Sequence, residues 1–459
     1  MQVAPASPKV RAVPIFKAYD IRGVVPDELG PDEAHRIGRA VARSIGASPL
    51  LVGRDARPSS PELTEALVRG IADEGVDVLD AGMVSTPMVY YGVAATGAAG
   101  GVSVTASHNP SRYNGFKLCR ERAIPIGAAS GLRDVERLFE TIGREKPGAS
   151  RGERRRVSLE KGYADHVLAL ATRPCPPLRV AIDCGNGMAA VGLEPILERL
   201  PLRVERLYFE PDGRFPNHEA NPLEEENLRD LCAAVVRTGA DFGVAFDGDG
   251  DRAVFVDETG RPVSSDLVTG LLAASALRRE PGGRVLFDLR SSRATREAIE
   301  AAGGVSEMCR VGHSFVKATM RETGAIFGGE LSGHFYFRFP GDLVADDACA
   351  AFVALLDRLA AEPRPLSELV APLRRYHATG EINRRVGDVA SLLDAIEADY
   401  AAGGSVSRMD GLRIEYPDWW FSLRPSNTEP ALRLNLEATT HERMVRERDR
   451  LLARIEAAG

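Results

Sequence analysis

A Thr-Gly-Ala triplet occurs three times in this 459-residue chain, each time followed by a short apolar run and then a loop of polar side chains. Thr96-Gly97-Ala98 leads through Val102-Ser103-Val104 to Thr105-Ala106-Ser107-His108-Asn109-Pro110. Thr238-Gly239-Ala240 leads through Gly243-Val244-Ala245-Phe246 to Asp247-Gly248-Asp249-Gly250-Asp251-Arg252, and Thr323-Gly324-Ala325 leads through Ile326-Phe327 to Gly329-Glu330-Leu331-Ser332-Gly333-His334. Each triplet closes a stretch of helical periodicity, so its glycine reads as the left-handed residue that stops a helix before a buried strand. The pattern predicts three related α/β units, each with a different chemical tool at the end of one strand: a serine, a carboxylate cluster and a Glu-Ser-His set.

The chain is too long for one core, and about 100–200 residues per domain gives three or four domains. A formal charge of -7 argues against a general nucleic-acid binder. No apolar run is long enough to span a bilayer, and residues 1–11 lack the apolar core of a signal peptide. Six cysteines lie scattered without paired spacing, which indicates neither a zinc site nor a disulfide framework and suits reduced thiols in the cytoplasm. The expected partners are small molecules, with no nucleic acid and no membrane.

Short apolar strands such as Leu50-Leu51-Val52, Val180-Ala181-Ile182 and Val285-Leu286-Phe287 alternate with helical stretches at 32–45, 61–73 and 223–237. This predicts α/β units with largely parallel sheets. The polar stretch 143–156, the turn at Glu258-Thr259-Gly260 and the proline-rich Glu362-Pro363-Arg364-Pro365 mark boundaries. The expected domains are 1–152, 153–258 and 259–364, all α/β, then 365–459, where runs at 411–416, 419–423 and 431–437 predict antiparallel strands before a helix at 442–458. The predicted fold is three similar α/β domains plus a C-terminal α+β domain around a central cleft.

Asp247, Asp249 and Asp251 alternate, so an extended backbone points all three carboxylates to one side. Their mutual repulsion is resolved by a hard divalent cation such as Mg²⁺. An EF-hand is excluded because Arg252 stands where that loop needs glycine. Ser107 lacks the flanking glycines of an acyl-transfer elbow. The spacing does occur at Gly148-Ala149-Ser150-Arg151-Gly152, but in a polar connector with no strand before it. A serine facing a metal and cations suffices for phosphoryl transfer, which depends on positioning and charge stabilisation. Arg424-Pro425-Ser426-Asn427-Thr428 combines a guanidinium fork with hydroxyls and an amide suited to a phosphate, while Glu330 and Ser332 suit sugar hydroxyls. Gly312-His313-Ser314 opens a helix, where His313 suits a cap or a phosphate contact.

Together with Lys17-Ala18-Tyr19-Asp20-Ile21-Arg22-Gly23, these loops make the chain resemble the phosphohexomutases, in particular the phosphomannomutase/phosphoglucomutase group, over nearly its whole length. The resemblance implies four domains around a cleft and reversible interconversion of hexose 1- and 6-phosphates of mannose and glucose. It implies Ser107 as the phosphoserine, with Asp247, Asp249 and Asp251 holding Mg²⁺ beside it, and hexose 1,6-bisphosphate as intermediate and activator. Arg22, Lys117 and Arg252 fall near the transferring group, His108 in its loop, and His313 and His334 elsewhere in the cleft. Tyr19 lies in the matching N-terminal motif at the substrate, Glu330 and Ser332 read the 3- and 4-hydroxyls, and the loop of Arg424, Ser426, Asn427 and Thr428 clamps the non-reacting phosphate. The chain departs from the common Phe-Asp-x-Lys pattern with Phe287-Asp288-Leu289-Arg290, and arginine's high pKa makes general-base duty doubtful there while leaving a phosphate contact. Residues 335–342 also match the family poorly and are expected to tune the substrate. A phosphoglucosamine mutase, an Asp247-nucleophile phosphatase and a silent sugar-phosphate sensor are the rival readings.

Overall fold

The computed structural model describes residues 15–142, 150–425 and 431–457. All three Thr-Gly-Ala triplets close helices, Thr86–Thr96, Arg229–Thr238 and His313–Thr323. Each residue of the triplet has a job. The threonine hydroxyls of Thr96, Thr238 and Thr323 donate back to the carbonyls of Gly92, Ala234 and Thr319 at 2.7–2.8 Å. The glycines adopt φ of 66°, 61° and 72°, where a Cβ would be strained. The alanines Ala98, Ala240 and Ala325 are buried as the chain enters the sheet.

The three α/β units share one sheet plan. In each, a central strand (Leu50–Arg54, Arg179–Asp183 or Arg284–Asp288) pairs in parallel with a strand on either side. One neighbour is the strand after the triplet: Gly100–Val104, Phe242–Phe246 or Phe327–Gly329. The chain then turns back into an antiparallel strand, Tyr113–Arg120, Ala253–Asp257 or Phe335–Phe339. The sheets are therefore mixed rather than largely parallel. The reason is length: a parallel return needs a crossover of a dozen or more residues, whereas the loops at 105–112, 247–252 and 330–334 are too short for one. Each chemical loop is thus the bend of a hairpin at the carboxyl end of a parallel strand.

One continuous apolar cluster runs through all three units, from Leu51 and Val93 through Ile182 and Phe246 to Phe287 and Phe337. The fourth unit is an antiparallel sheet in which Ala431–Ala438 pairs with Trp419–Pro425, and that strand with Leu412–Glu415. The helices Val389–Tyr400 and His441–Glu456 pack on it around a core of its own that includes Leu412, Trp419, Leu434 and Leu451. The helix expected at 223–237 begins later: Glu225–Leu228 is a 3₁₀ turn, and the α-helix starts at Arg229. Among the described residues, no helix is long and apolar enough to cross a membrane.

Candidate active site

Ser107 follows the buried strand Gly100–Val104 with φ of 52°, a left-handed conformation uncommon for a residue with a Cβ. Its Oγ donates to Asp247 Oδ2 at 2.9 Å and lies 3.3 Å from His108 Nδ1. Asp247 is presented by its own loop, because its Oδ1 accepts the backbone N–H groups of Gly250, Asp251 and Arg252 at 3.0–3.1 Å. The serine and acidic loops come this close only because Gly248 has no side chain. A Cβ there would sit 2.5 Å from the Ser107 carbonyl oxygen.

All three carboxylates are buried, and each offers an oxygen within 4.8 Å of the others. Lys117 Nζ bridges Asp249 Oδ2 and Asp251 Oδ2 at 2.7 and 2.6 Å, while Thr86 Oγ1 donates to Asp249 Oδ2 at 2.7 Å. The second oxygens, Asp249 Oδ1 and Asp251 Oδ1, are buried with no hydrogen-bond partner among the described residues. Buried carboxylate oxygens without a donor are costly, and this donor set fits a hard divalent cation. Burial first, and then the charges of Asp251 and Asp249, push the Asp247 carboxyl well above the ordinary carboxylate range. Burial also works against Asp249 and Asp251, but the Lys117 ammonium holds both below it.

Cations surround the pair of loops. Arg22 donates to Asp20 Oδ2 at 2.5 Å and to Asn109 Oδ1 at 2.8 Å, and Arg252 Nε to His334 Nε2 at 3.0 Å. His334 Nδ1 in turn lies 3.1 Å from Asp346 Oδ2, whose other oxygen accepts from Lys317 at 2.8 Å. His108 and His313 are held well below the ordinary imidazole value, chiefly by burial and then by cations (Arg252 and Arg22 for His108, Lys317 for His313), so both rings are neutral near pH 7.

A cavity of about 830 Å³ opens from these loops and is walled by all four units. Tyr19 and His108 come from the first, and Leu223, Glu224 and Arg252 from the second. The third supplies Arg290, His313, Glu330, Ser332 and His334, and the fourth Glu381, Asn383, Arg424 and Arg433. Glu330 is aimed by two donors, the Gly312 N–H at 2.6 Å on Oε1 and the Tyr336 hydroxyl on Oε2. Arg290 is pinned by Asp288 through Nη2 at 2.8 Å, and Arg424 Nε donates to Asp410 at 2.8 Å. Both residues line the same cavity.

The structure thus gathers Ser107, Arg22, His108, Lys117, Arg252 and the three aspartates around the paired serine and acidic loops, from which His108 and Arg252 reach the cavity. Tyr19, Arg290, His313, Glu330, Ser332, His334 and Arg424 join it as cavity walls. Ser426, Asn427 and Thr428 lie outside the described residues. Residues 335–342, expected to tune the substrate, do not wall this cavity: Phe335–Phe339 is a core strand, and Tyr336 meets the cleft through its hydroxyl on Glu330 and its ring stacked 6.0 Å from that of His334.

Several supporting groups carry no signal in the sequence. Arg57 has a fully buried side chain whose guanidinium donates to the carbonyls of Ser107, Asn109, Pro110 and Tyr113 at 2.6–3.0 Å. Thr86, Asp288, Lys317 and Asp346 likewise hold site residues from distant positions; only Asp288 lies in a motif the sequence singles out, two residues before Arg290.

A buried hydroxyl facing a carboxylate trio and ringed by cations, next to a cavity that two further guanidiniums wall, suits phosphoryl transfer better than an acyl-transfer elbow. Comparison with known proteins agrees. Four consecutive segments, 13–146, 161–260, 264–376 and 381–454, match domains I, II and III (alpha/beta/alpha) and the C-terminal domain of phosphoglucomutase/phosphomannomutase. The chain is 41% identical over 433 residues to a phosphomannomutase of Salmonella montevideo, covering 92% of this chain and 94% of that relative. It is 38% identical over 443 residues to a phosphomannomutase/phosphoglucomutase of Pseudomonas aeruginosa, with 94% and 93% covered. A crystal structure of a phosphoglucomutase/phosphomannomutase family protein from Burkholderia thailandensis superposes with a TM-score of 0.88 at 35% identity, covering 97% of each chain. The chain belongs to the phosphoglucomutase/phosphomannomutase family and is a hexose phosphate mutase, an isomerase.

Proposed function

We propose that the protein interconverts the 1- and 6-phosphates of both mannose and glucose, with Ser107 carrying the phosphoryl group between them. The observation that carries this reading is Ser107 Oγ donating to Asp247 Oδ2 at 2.9 Å, in a loop whose His108 walls the same cavity as Arg290 and Arg424. The Salmonella relative, a phosphomannomutase, and the Pseudomonas relative, a phosphomannomutase/phosphoglucomutase, suggest the two sugars.

In the forward step the Oγ–phosphorus bond of phosphoserine breaks and a sugar oxygen–phosphorus bond forms. The sugar hydroxyl proton ends on Ser107 Oγ, leaving hexose 1,6-bisphosphate. After the bisphosphate reverses in the cleft, its other phosphoryl group returns to Oγ and the proton goes back to the sugar oxygen. No nucleotide is consumed, in keeping with a chain that contains no Gly-Lys dipeptide and so no Walker A lysine.

Asp247, Asp249 and Asp251 would hold Mg²⁺ together with the Ser107 oxygen, and the unpartnered Oδ1 atoms of Asp249 and Asp251 fit that role. When bound, the ion supplies positive charge against the phosphoryl oxygens. Arg22, Lys117 and Arg252 add fixed positive charge around the transferring group, which is where catalysis of this kind is concentrated. His108 and His313 are neutral imidazoles able to take a proton, and His108 stands nearest Oγ. Tyr19, Glu330, Ser332 and His334 read the sugar. Arg290, Arg424, Ser426, Asn427 and Thr428 hold the phosphate that is not reacting.

If Glu330 and Ser332 read hydroxyls 3 and 4, sugars differing only at C2 are weakly discriminated. A coupled assay with mannose 1-phosphate, glucose 1-phosphate and glucosamine 1-phosphate, plus trace hexose 1,6-bisphosphate, tests this. Efficient turnover of the first two is expected. Efficient turnover of one and essentially none of the other would overturn the dual specificity, and preference for the amino sugar would replace it.

A further inference from the structure

The loop at 208–221, after the strand Arg203–Leu207, contributes no side chain to the cleft before Leu223 and Glu224, yet it touches both halves of the reaction centre. At one end, the Gly213 N–H donates to the Ala56 carbonyl at 3.2 Å, and Gly213 lies so close to Arg57 that a Cβ would meet its Cα at 2.2 Å. Phe215 packs its ring 5.1 Å under the same guanidinium that gathers the serine-loop carbonyls. At the other end, the Ala220 carbonyl accepts the Gly248 N–H at 3.2 Å, between two of the acidic-loop aspartates.

The turn Gly185-Asn186-Gly187 binds this loop to the sheet. The Asn186 side chain donates to the Glu210 carbonyl and accepts from Asn217 Nδ2, while its backbone accepts from the Asp212 N–H and donates to Tyr208 O, all at 2.8–2.9 Å. His218 fastens the far end: Nε2 is 3.1 Å from the buried Asp183 Oδ2 and Nδ1 2.9 Å from the Glu219 carbonyl. Gly187 reaches the acidic loop directly, since a Cβ there would lie 2.9 Å from Gly248 Cα. Among the described residues, seven non-glycine positions have positive φ, and four of them belong to this assembly: Ser107, Asn186, Tyr208 and Phe215. Such conformations persist only where the surroundings over-determine them, and they gather at functional sites.

We propose that the loop at 208–221 is a strap that keeps the serine loop in register with the acidic loop, and that His218 and Phe215 are positioning residues for phosphoryl transfer. His218 acts through Asp183 and Ala220 on Gly248, and Phe215 acts through Arg57 on Ser107. Neither touches the sugar-reading side chains, so the strap sets the rate of transfer and not the grip on the substrate. This rests on the reading of Ser107 and Asp247 as the reaction centre.

The test uses the full-length enzyme with His218→Ala, His218→Gln, Phe215→Leu and, as a control on the underlying reading, Ser107→Ala. Loss of an outer-shell support typically lowers activity by about 10- to 100-fold. His218→Ala and Phe215→Leu should each lose about that factor in kcat with KM for the hexose phosphate within about twofold of wild type, and His218→Gln, which keeps a donor toward Asp183, should recover most of it. Wild-type kcat in folded Phe215→Leu and His218→Ala would overturn the strap while leaving the inactive Ser107→Ala control, and with it the transfer mechanism, in place. A fall in kcat matched by a rise in KM would also overturn it, because that marks general loosening of the cleft. If His218→Ala does not fold, Phe215→Leu decides alone. An active Ser107→Ala enzyme would remove the transfer mechanism and the strap together.

Discussion

The first three units and the fourth are built differently. One apolar cluster runs through units one to three, the first of which also has a separate cluster of its own, and their three chemical loops are hairpin bends held by hydrogen bonds and glycine close approaches. The fourth has its own core and joins the rest largely through polar contacts. Arg293 donates to the carbonyls of Pro417 and Tyr416 and, through its N–H, to Glu437, while Arg413 stacks 3.8 Å over Trp420 and donates to the Leu289 carbonyl at 2.5 Å. The cavity-wall guanidinium Arg424 belongs to the fourth unit, with Asp410 as its counter-ion. Rate is expected to depend on the shared core, and affinity on the fourth unit.

The largest effect expected is that Ser107→Ala abolishes mutase turnover while the fold survives; surviving activity with phosphate release would point instead to a phosphatase. Next, Asp249→Asn should lower kcat by about 100- to 1,000-fold, the scale of losing one preorganised charge in a transfer site, with little change in thermal unfolding. A Mg²⁺ titration of activity checks this, and an unaltered profile would contradict the acidic-trio assignment. Arg424→Ala should fall mainly on binding. A charge-assisted hydrogen bond contributes about 1.5–3 kcal/mol, so kcat/KM should drop by about 10- to 150-fold, carried by KM. If kcat falls and KM stays, the division between the two regions is wrong.

How much of this could be read from the chain divides along the same line as local against long-range contact. The triplets were legible because helix-stop chemistry is local: a threonine bonding back one turn, a glycine with positive φ and an alanine entering the core. The serine, acidic and Glu330 loops were legible because each packs its chemistry into a few consecutive residues. The mixed pairing was not foreseen, although the loop lengths alone excluded a crossover after each triplet strand. Thr86 was invisible because its partner Asp249 is 163 residues away, and Arg57 because its partners are backbone carbonyls about 50 residues on. Tyr336 lies in a stretch that matches the family poorly, but it meets the cleft through Glu330 and His334.

Two smaller effects sharpen the comparison. Tyr336→Phe removes one of the two donors that aim Glu330 and should cost about 0.5–1.5 kcal/mol in kcat/KM, measured with both sugars. The smallest concerns pH. His166 lies between Tyr91 and Phe339, ring centroids 5.0 and 4.1 Å away, at the junction of the first three units, and burial holds its imidazole down at about 4 from an ordinary 6.5. Above 6.5 the folded and unfolded chains are both neutral there. Between 6.5 and about 4 the unfolded chain binds a proton that the folded chain refuses, so stability falls as pH falls through that window. Thermal unfolding followed from pH 7 to pH 4 should show this decline, and His166→Gln should flatten part of it.

The central claim is that the Ser107 oxygen accepts and returns a phosphoryl group. Intact-protein mass spectrometry tests it most directly, on enzyme first stripped with excess hexose monophosphate and then incubated with hexose 1,6-bisphosphate and Mg²⁺. The account predicts a gain of one phosphoryl group that maps to Ser107, is absent in Ser107→Ala, and is lost again on adding hexose monophosphate. No gain in the wild type, or an equal gain in Ser107→Ala, would contradict it.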